Sequence, residues 1–316
     1  MLAAGADKRR FAFSPPVYVR LFREIVTGNY DVVLMPIEKK HLPLILLLAA
    51  ARRLIGFRLV SYNHPLLRSS DGKVTAMDWW LTRLAFRLYD RVVFYTEEAR
   101  DWAVAEGLID RRKAFFANNT LDTATVWEHY QFSVNRSNPK RVVFIGRLVK
   151  NKRLDLLLDY YRALKLHLPD LRLEIIGDGP QAHLAERAAV ADPQITWHGA
   201  IVDERRIAEI MKRSHVVFVP GHSGLSVVHA FCYGRPYLTC ADYPAHPPEI
   251  CYLDDAVNGL LLSGDNIASD VPRILRLLAD ESEYARFCTA AFETAKHLSV
   301  ENWCRQMSEA LRGHEG

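Results

Sequence analysis

Short apolar runs alternate with segments of helical spacing along the whole chain, and this alternation restricts the fold more than any other feature of the 316 residues. In the first half the runs are Asp31–Pro36, Phe57–Asn63, Arg91–Thr96 and Lys113–Asn119. In the second half they are Arg141–Gly146, Leu171–Gly177, Ile195–His198, His215–Val219 and Pro236–Cys240. Helical patterns lie between them. One opens at Pro15–Pro16 and carries Val17, Leu21 and Ile25 on one face, and another runs from about His41 to the Gly56 stop. Strand and helix in strict alternation argue a parallel α/β sheet.

The alternation runs through twice. Gln131–Lys140 is polar, carries Pro139 and separates the two series. We expect a first domain over 1–138, a second over 139–296, and a C-terminal helix over 297–316 that crosses back to the first. Tandem domains of this kind face a cleft, and ligands of such sheets sit beyond the carboxyl ends of the strands.

The stretch Pro220–Pro236, PGHSGLSVVHAFCYGRP, follows one of these strands. Gly221 and Gly224 bracket His222 and Ser223, and a helix pattern through Leu225, Val228, Phe231 and Cys232 comes next. Glycine lets the backbone approach a ligand, and a strand, turn, helix layout can present N–H groups to an anion. It is equally the layout of an ordinary βα turn. A second loop follows Arg141–Gly146, where Arg147, Lys150, Lys152 and Arg153 place four cations in seven residues. Arg offers phosphate a planar fork and Lys a point charge. Both loops end strands of one domain and can converge on one anion.

Composition excludes several classes. Apolar residues make up 49% and charged residues 25%, as in globular proteins. The most apolar run, Leu42–Ala51, is too short to span a bilayer, contains Pro43 and meets Arg52–Arg53, so it reads as a buried helix with a basic end. No signal peptide is expected. The five cysteines form no CxxC pair, which argues against a disulfide framework or zinc site and for a cytoplasmic location. Net charge is uneven. Residues 1–139 hold 20 Lys+Arg against 14 Asp+Glu, and the remainder holds 21 against 23. A basic first half suits peripheral contact with an anionic leaflet at the inner membrane surface, or simply a solvated face. No nucleic-acid motif is present.

Five ordered blocks carry a resemblance: Phe144–Leu158, Ile175–Pro180, Ile195–Ile201, Val219–Thr239 and Pro248–Ile250. Together they resemble the C-terminal domain of family-4-type glycosyltransferases of the GT-B fold. These are retaining enzymes that use nucleotide-sugar donors without a metal. Asp90–Thr96 and Asn118–Thr123 extend the likeness more weakly into the first half. The resemblance implies two Rossmann-like domains. It implies that Gly146, Arg147 and Lys152 bind the donor diphosphate, that Gly199, Ala200 and Ile201 meet the nucleobase, and that Gly224, Leu225 and Ser226 lie beside the diphosphate. Glu249 matches a glutamate of the family's Pro-Glu-Ile segment, and His64 a histidine that faces the donor sugar.

Two departures stand out. The family's paired glutamates, seven residues apart, fall on Gly221 and His229. His229 can still bond a hydroxyl through a ring nitrogen, which makes it, with His64, a catalytic candidate. It also fits a helix histidine with an ordinary structural partner. The family's opening strand and glycine-rich acceptor loop have no counterpart in residues 1–30, so the first domain reads as incomplete. The expectation is sugar transfer from a nucleoside-diphosphate-sugar to the hydroxyl of a glycan or glycolipid acceptor, with retention and no metal or other cofactor. The alternative is a non-catalytic GT-B-like subunit that binds nucleotide-sugar or acts as a scaffold.

Overall fold

The computed structural model describes residues 15–66, 74–241 and 246–312. The polar loop Arg68–Gly72 and the first twelve residues lie outside them. The chain divides into two compact units, one of residues 1–118 with 304–316 and the other of residues 119–303. The polar segment 131–140 therefore lies inside the second unit.

In the first unit the order is α1 (Pro15–Thr27), β1 (Val32–Leu34), α2 (Leu42–Ile55), β2 (Arg58–Asn63), α3 (Ala76–Leu88), β3 (Arg91–Phe94), α4 (Glu97–Ala105) and β4 (Ala114–Phe116). The four strands form one parallel sheet in the order β1-β2-β3-β4. Leu59, Val60, Val92, Val93 and Phe94 are fully buried in it, as expected where helices cover a parallel sheet. Local chemistry fixes the helix ends. Thr75 and Asp78 form a reciprocal capping box at the start of α3, Thr96 caps α4, and Gly56 closes α2 in the left-handed conformation at φ 94°.

The helix α2 corrects one expectation. Leu44, Ile45, Leu48 and Ala49 are buried, but Leu46, Leu47 and Leu54 are 52%, 54% and 91% exposed. Packing on a sheet covers one stripe of a helix, and this helix is apolar on more than that stripe.

The second unit continues with α5 (Thr123–His129), β5 (Arg141–Ile145), α6 (Leu154–Lys165), β6 (Arg172–Ile176), α7 (Ala182–Ala191), β7 (Ile195–Trp197), α8 (Glu204–Lys212) and β8 (Val216–Phe218). Then come α9 (Ser226–Cys232), β9 (Tyr237–Cys240), β10 (Gly259–Leu262), α10 (Ile267–Ala279), α11 (Glu281–His297) and α12 (Val300–Arg312). From Cys304 onward α12 belongs to the first unit. The helix α5 and the strand β10 lie outside the sequence expectations, and the remaining strands are shorter than the apolar runs that announced them.

The second sheet is all parallel, in the order β10-β9-β8-β5-β6-β7. From β5 the chain steps outward to β6 and β7, then returns to the other flank for β8, β9 and β10. The order reverses between β5 and β8, and a crevice opens at such a switch point beyond the carboxyl ends of the two strands.

Arg235 locks this unit together. Its side chain is fully buried. It donates from Nε to the Met211 carbonyl at 3.0 Å, from Nη1 to the Ser133 carbonyl at 3.1 Å, and from Nη2 to the Tyr130 hydroxyl at 3.1 Å and the Lys212 carbonyl at 3.3 Å. One cation thus satisfies the C-terminal carbonyls of α8, where a positive charge is favoured, and pins the segment before β5 to the Gly234–Pro236 connection. Arg235→Ala removes four charge-assisted bonds made from a fully buried side chain and leaves its volume empty. It should lower unfolding free energy in urea by about 3–5 kcal/mol, and an unchanged denaturation midpoint would contradict this account.

Candidate functional site

The loops after β5 and β8 flank the switch point and are tied to each other through the main chain. Gly221 N–H donates to the Lys152 carbonyl at 3.2 Å, and His222 N–H donates to the Asn151 carbonyl at 2.8 Å. The approach is so close that a Cβ on Gly221 would lie 2.0 Å from the Asn151 oxygen. Only glycine fits there. The β5 loop is likewise stacked on the β6 loop, where a Cβ on Gly177 would lie 1.9 Å from the Gly146 oxygen. Gly177 N–H in turn donates to the Gly199 carbonyl at 2.8 Å. Gly146, Gly177, Gly199 and Gly221 therefore form one wall of turns without side chains at the strand ends.

Lys152 stands at this wall. It ends a short 3-10 turn, Lys150–Lys152, that Arg153 closes in the left-handed conformation at φ 54°. A Cβ on Gly146 would lie 3.6 Å from Lys152 Cε and 3.8 Å from its Nζ. Among the described residues no carboxylate pairs with this ammonium. Burial lowers its pKa to about 8, against the opposing pull of the Glu249 charge. Arg147, by contrast, is exposed, and among the described residues nothing engages its guanidinium. The loop thus offers two cations uncommitted within the described protein, one half-buried and one exposed.

Glu249 faces the same place. It lies in the 3-10 segment Pro248–Tyr252, is almost fully buried, and accepts a hydrogen bond from Asn119 Nδ2 at Oε1. Its other oxygen, Oε2, has no partner among the described residues. His222 is half-buried, and its pKa is lowered by burial and then by the charge of Lys152, with Glu249 opposing. His246 is fixed as the neutral tautomer with its proton on Nε2. Its Nδ1 accepts from Ser223 N–H at 3.0 Å, and its Nε2 donates to the Cys240 carbonyl at 2.8 Å. These bonds set the glycine turn from behind.

The other residues singled out in the sequence are placed as follows. Gly224 touches Pro247, with 3.4 Å between a built Cβ and Cγ. Ser226 begins the seven-residue α9, and its hydroxyl bonds Tyr237 Oη at 2.8 Å. Leu225 and Ala200 are exposed, and Ile201 packs partly into the core. His229 Nε2 bonds Glu204 Oε1 at 2.7 Å, and Tyr233 Oη donates to the same oxygen at 2.5 Å. Burial disfavours the Glu204 charge, but these bonds outweigh it and hold the carboxyl below its ordinary range. His64 belongs to the first unit, is exposed, and sets its ring edgewise against Tyr95 at 4.6 Å.

Sequence reasoning missed Asn119, His222 and His246 as site residues. It also missed Glu174, a buried carboxylate in β6 bonded to Arg141 at 2.7 Å and to His198 at 2.7 Å. The lone carboxylate inside the run Leu171–Gly177 was the readable signal for Glu174. Asn119 and His246 act on partners 130 and 23 residues away, so no local spacing announces them.

Comparison with known proteins agrees with this architecture. Residues 139–280 match the family described as glycosyl transferases group 1. A curated relative, GDP-mannose-dependent alpha-mannosyltransferase of Corynebacterium glutamicum, is 27% identical over 176 residues, which cover 54% of this chain and 39% of that protein. The match thus spans well under half the length of that relative. Anabaena HepE in complex with UDP superposes with a TM-score of 0.71 at 16% identity, over 94% of this chain and 82% of that one. A glycosyltransferase of Rickettsia africae superposes with a TM-score of 0.70 at 12% identity, over 99% and 83%. The chain is an α/β protein of the GT-B glycosyltransferase fold with two Rossmann-like units, and residues 139–280, in the second, are similar to the group 1 glycosyl transferases.

Proposed function

We propose that the chain transfers a sugar from a nucleoside-diphosphate-sugar to an acceptor hydroxyl, with retention and without a metal, in the synthesis of a surface polysaccharide or glycolipid. The observation that carries this reading is Lys152, a half-buried ammonium without a carboxylate partner among the described residues, set against the glycine turns at the switch point. A diphosphate supplies the missing counter-charge. As the glycosidic bond breaks, the leaving diphosphate gains negative charge, and Lys152 and Arg147 stabilise it where it develops. Glu249 Oε2 accepts from a hydroxyl of the donor sugar. The complex of HepE with UDP and the GDP-mannose dependence of the curated relative support a nucleotide-bearing donor.

Gly221 supports a second reading. Its backbone leaves no room for the carboxylate that the resembling family carries at this position. A chain that binds nucleotide-sugar without turning it over has the same loops. Incubation with each donor class, followed by detection of released nucleotide and of the anomeric configuration of the product, separates the two.

Calorimetric titration with UDP, GDP, ADP and dTDP should find one nucleotide bound tightly. Arg147→Ala combined with Lys152→Ala should weaken it about 100-fold or more, since each charged hydrogen bond contributes about 1.5–3 kcal/mol. Equal affinity in the double variant would remove the diphosphate site from this loop.

The Lys152 pKa gives a pH signature. Its free value is lowered to about 8, and a bound diphosphate favours the ammonium. Binding should therefore take up a proton near pH 8, and affinity should fall about tenfold from pH 7 to pH 9. Lys152→Arg should flatten that slope, because guanidinium stays charged throughout. A slope that survives the substitution belongs to another group.

Glu249→Gln should leave nucleotide affinity at pH 7 within about twofold and lower kcat/KM for the intact donor about 10–100-fold. A loss of nucleotide affinity with turnover unchanged would assign Glu249 to loop structure instead.

A further inference from the structure

The first unit carries an apolar surface that its own core does not use. Apart from Ile55 at its last position, the exposed residues of α2 are Pro43, Leu46, Leu47, Ala50, Arg53 and Leu54, spaced as a single helical stripe. The exposed stripe of α3 holds Met77 and Trp80, 62% and 60% exposed, with Leu84 one turn further. The two stripes are neighbours. The connections β1-α2-β2 and β2-α3-β3 step the same way across the parallel sheet, and right-handed crossovers place both helices on the same face. The two helices pack against each other, so their outward stripes lie side by side.

The exposed charge within the two helices is of one sign. Arg53 lies in the α2 stripe, and Arg83 and Arg87 flank the α3 stripe. The only carboxylate in either helix is Asp78, which is buried and paired with Lys39. Beside α3 a cleft of 400 Å³ is lined by Arg83, Arg87 and Lys113 over a floor of Phe86, Leu108 and Ile109, and its one carboxylate, Asp110, is engaged by the Arg112 guanidinium. Lys113 is held there by its bond to the Tyr89 carbonyl at 3.0 Å.

Leucines and a tryptophan without acids, beside a basic cleft, fit a surface that is apolar inside and negatively charged at its boundary. A soluble partner would have to match the stripe with its own side chains. A bilayer supplies both chemistries over any area. We propose that the outward face of α2 and α3 docks on an anionic membrane, with the apolar stripes entering the acyl boundary and the Arg83, Arg87 and Lys113 cleft taking a lipid phosphate. This assignment does not depend on the activity proposed for the second unit.

The test is co-sedimentation of the full chain with vesicles of phosphatidylcholine alone and mixed with phosphatidylglycerol, at low and high salt. Binding should require the anionic lipid and weaken with salt. Each basic residue near an anionic surface is worth about fivefold, so Arg83→Gln with Arg87→Gln should weaken it about 25-fold. Leu47→Glu with Trp80→Glu should abolish it. All four positions are exposed, so thermal unfolding and nucleotide binding should match the parent chain. Equal binding to neutral and anionic vesicles, or a variant pair that binds like the parent, would overturn the proposal. So would a dimer that Leu47→Glu with Trp80→Glu splits into monomers in the absence of vesicle binding, since the face would then be a contact between copies of this chain.

Discussion

Two main-chain hydrogen bonds, from Gly221 and His222 to the carbonyls of Lys152 and Asn151, hold the second unit's site in place. They join the loops of β5 and β8, the two strands between which the sheet order reverses. The contact requires bare backbone at position 221, where a Cβ would meet the Asn151 oxygen at 2.0 Å. This explains why a glycine stands where similar enzymes carry a glutamate. The packing that brings Lys152 to the turn is incompatible with any side chain at that point. A carboxylate for this site has to come from another element, and Glu249 is the buried one whose charge reaches Lys152 and His222.

The treatment of charge elsewhere in the unit makes this pair conspicuous. Burying an ion is costly unless it is paired or fully hydrogen-bonded. Arg235 has four protein acceptors, Glu174 is bonded by Arg141 and His198, and Asp270 accepts from Tyr160, from the Ser263 hydroxyl and from the main chain at Ser263 and Gly264. At the switch point the pattern breaks. Lys152 and Glu249 Oε2 are left without hydrogen-bond partners within the described protein, although their fields reach one another. Groups of opposite sign drawn out of water, within reach of each other's charge and not bonded, suit a ligand that carries both phosphates and hydroxyls.

Much of the fold was legible because its signals are local. Parallel strands covered on both faces read as apolar runs, and Thr75, Thr96, Asp203 and Gly56 mark helix ends within a turn of where they act. The loop Gly146–Lys152 was legible for the same reason, as cations directly after a strand. What failed to show was whatever depends on contacts far apart in sequence. His229 was read either as a hydroxyl ligand or as a helix histidine with an ordinary partner, and no local spacing announces the Glu204 carboxylate, 25 residues earlier, that its Nε2 bonds. Asn119 reaches Glu249 across 130 residues. The ten apolar residues from Leu42 were read as buried because hydrophobicity without periodicity does not say which side a sheet will cover.

The basic balance of the first half illustrates the same limit and its resolution. An excess of six charges over residues 1–139 says nothing about where a field is felt. Folding sorts those charges. Arg58 and Arg91 donate to the last carbonyls of α12, Arg52 pairs with Asp90, Arg100 with Glu97 and Asp101, and Lys39 with Asp78. Cations at a helix C-terminus and in close ion pairs act over a few ångströms and contribute little at a distance. The residues that keep their charge for the outside include Arg53, Arg83 and Arg87, and these border the apolar stripes of α2 and α3. The surface worth attention is set less by net charge than by which cations the fold does not consume.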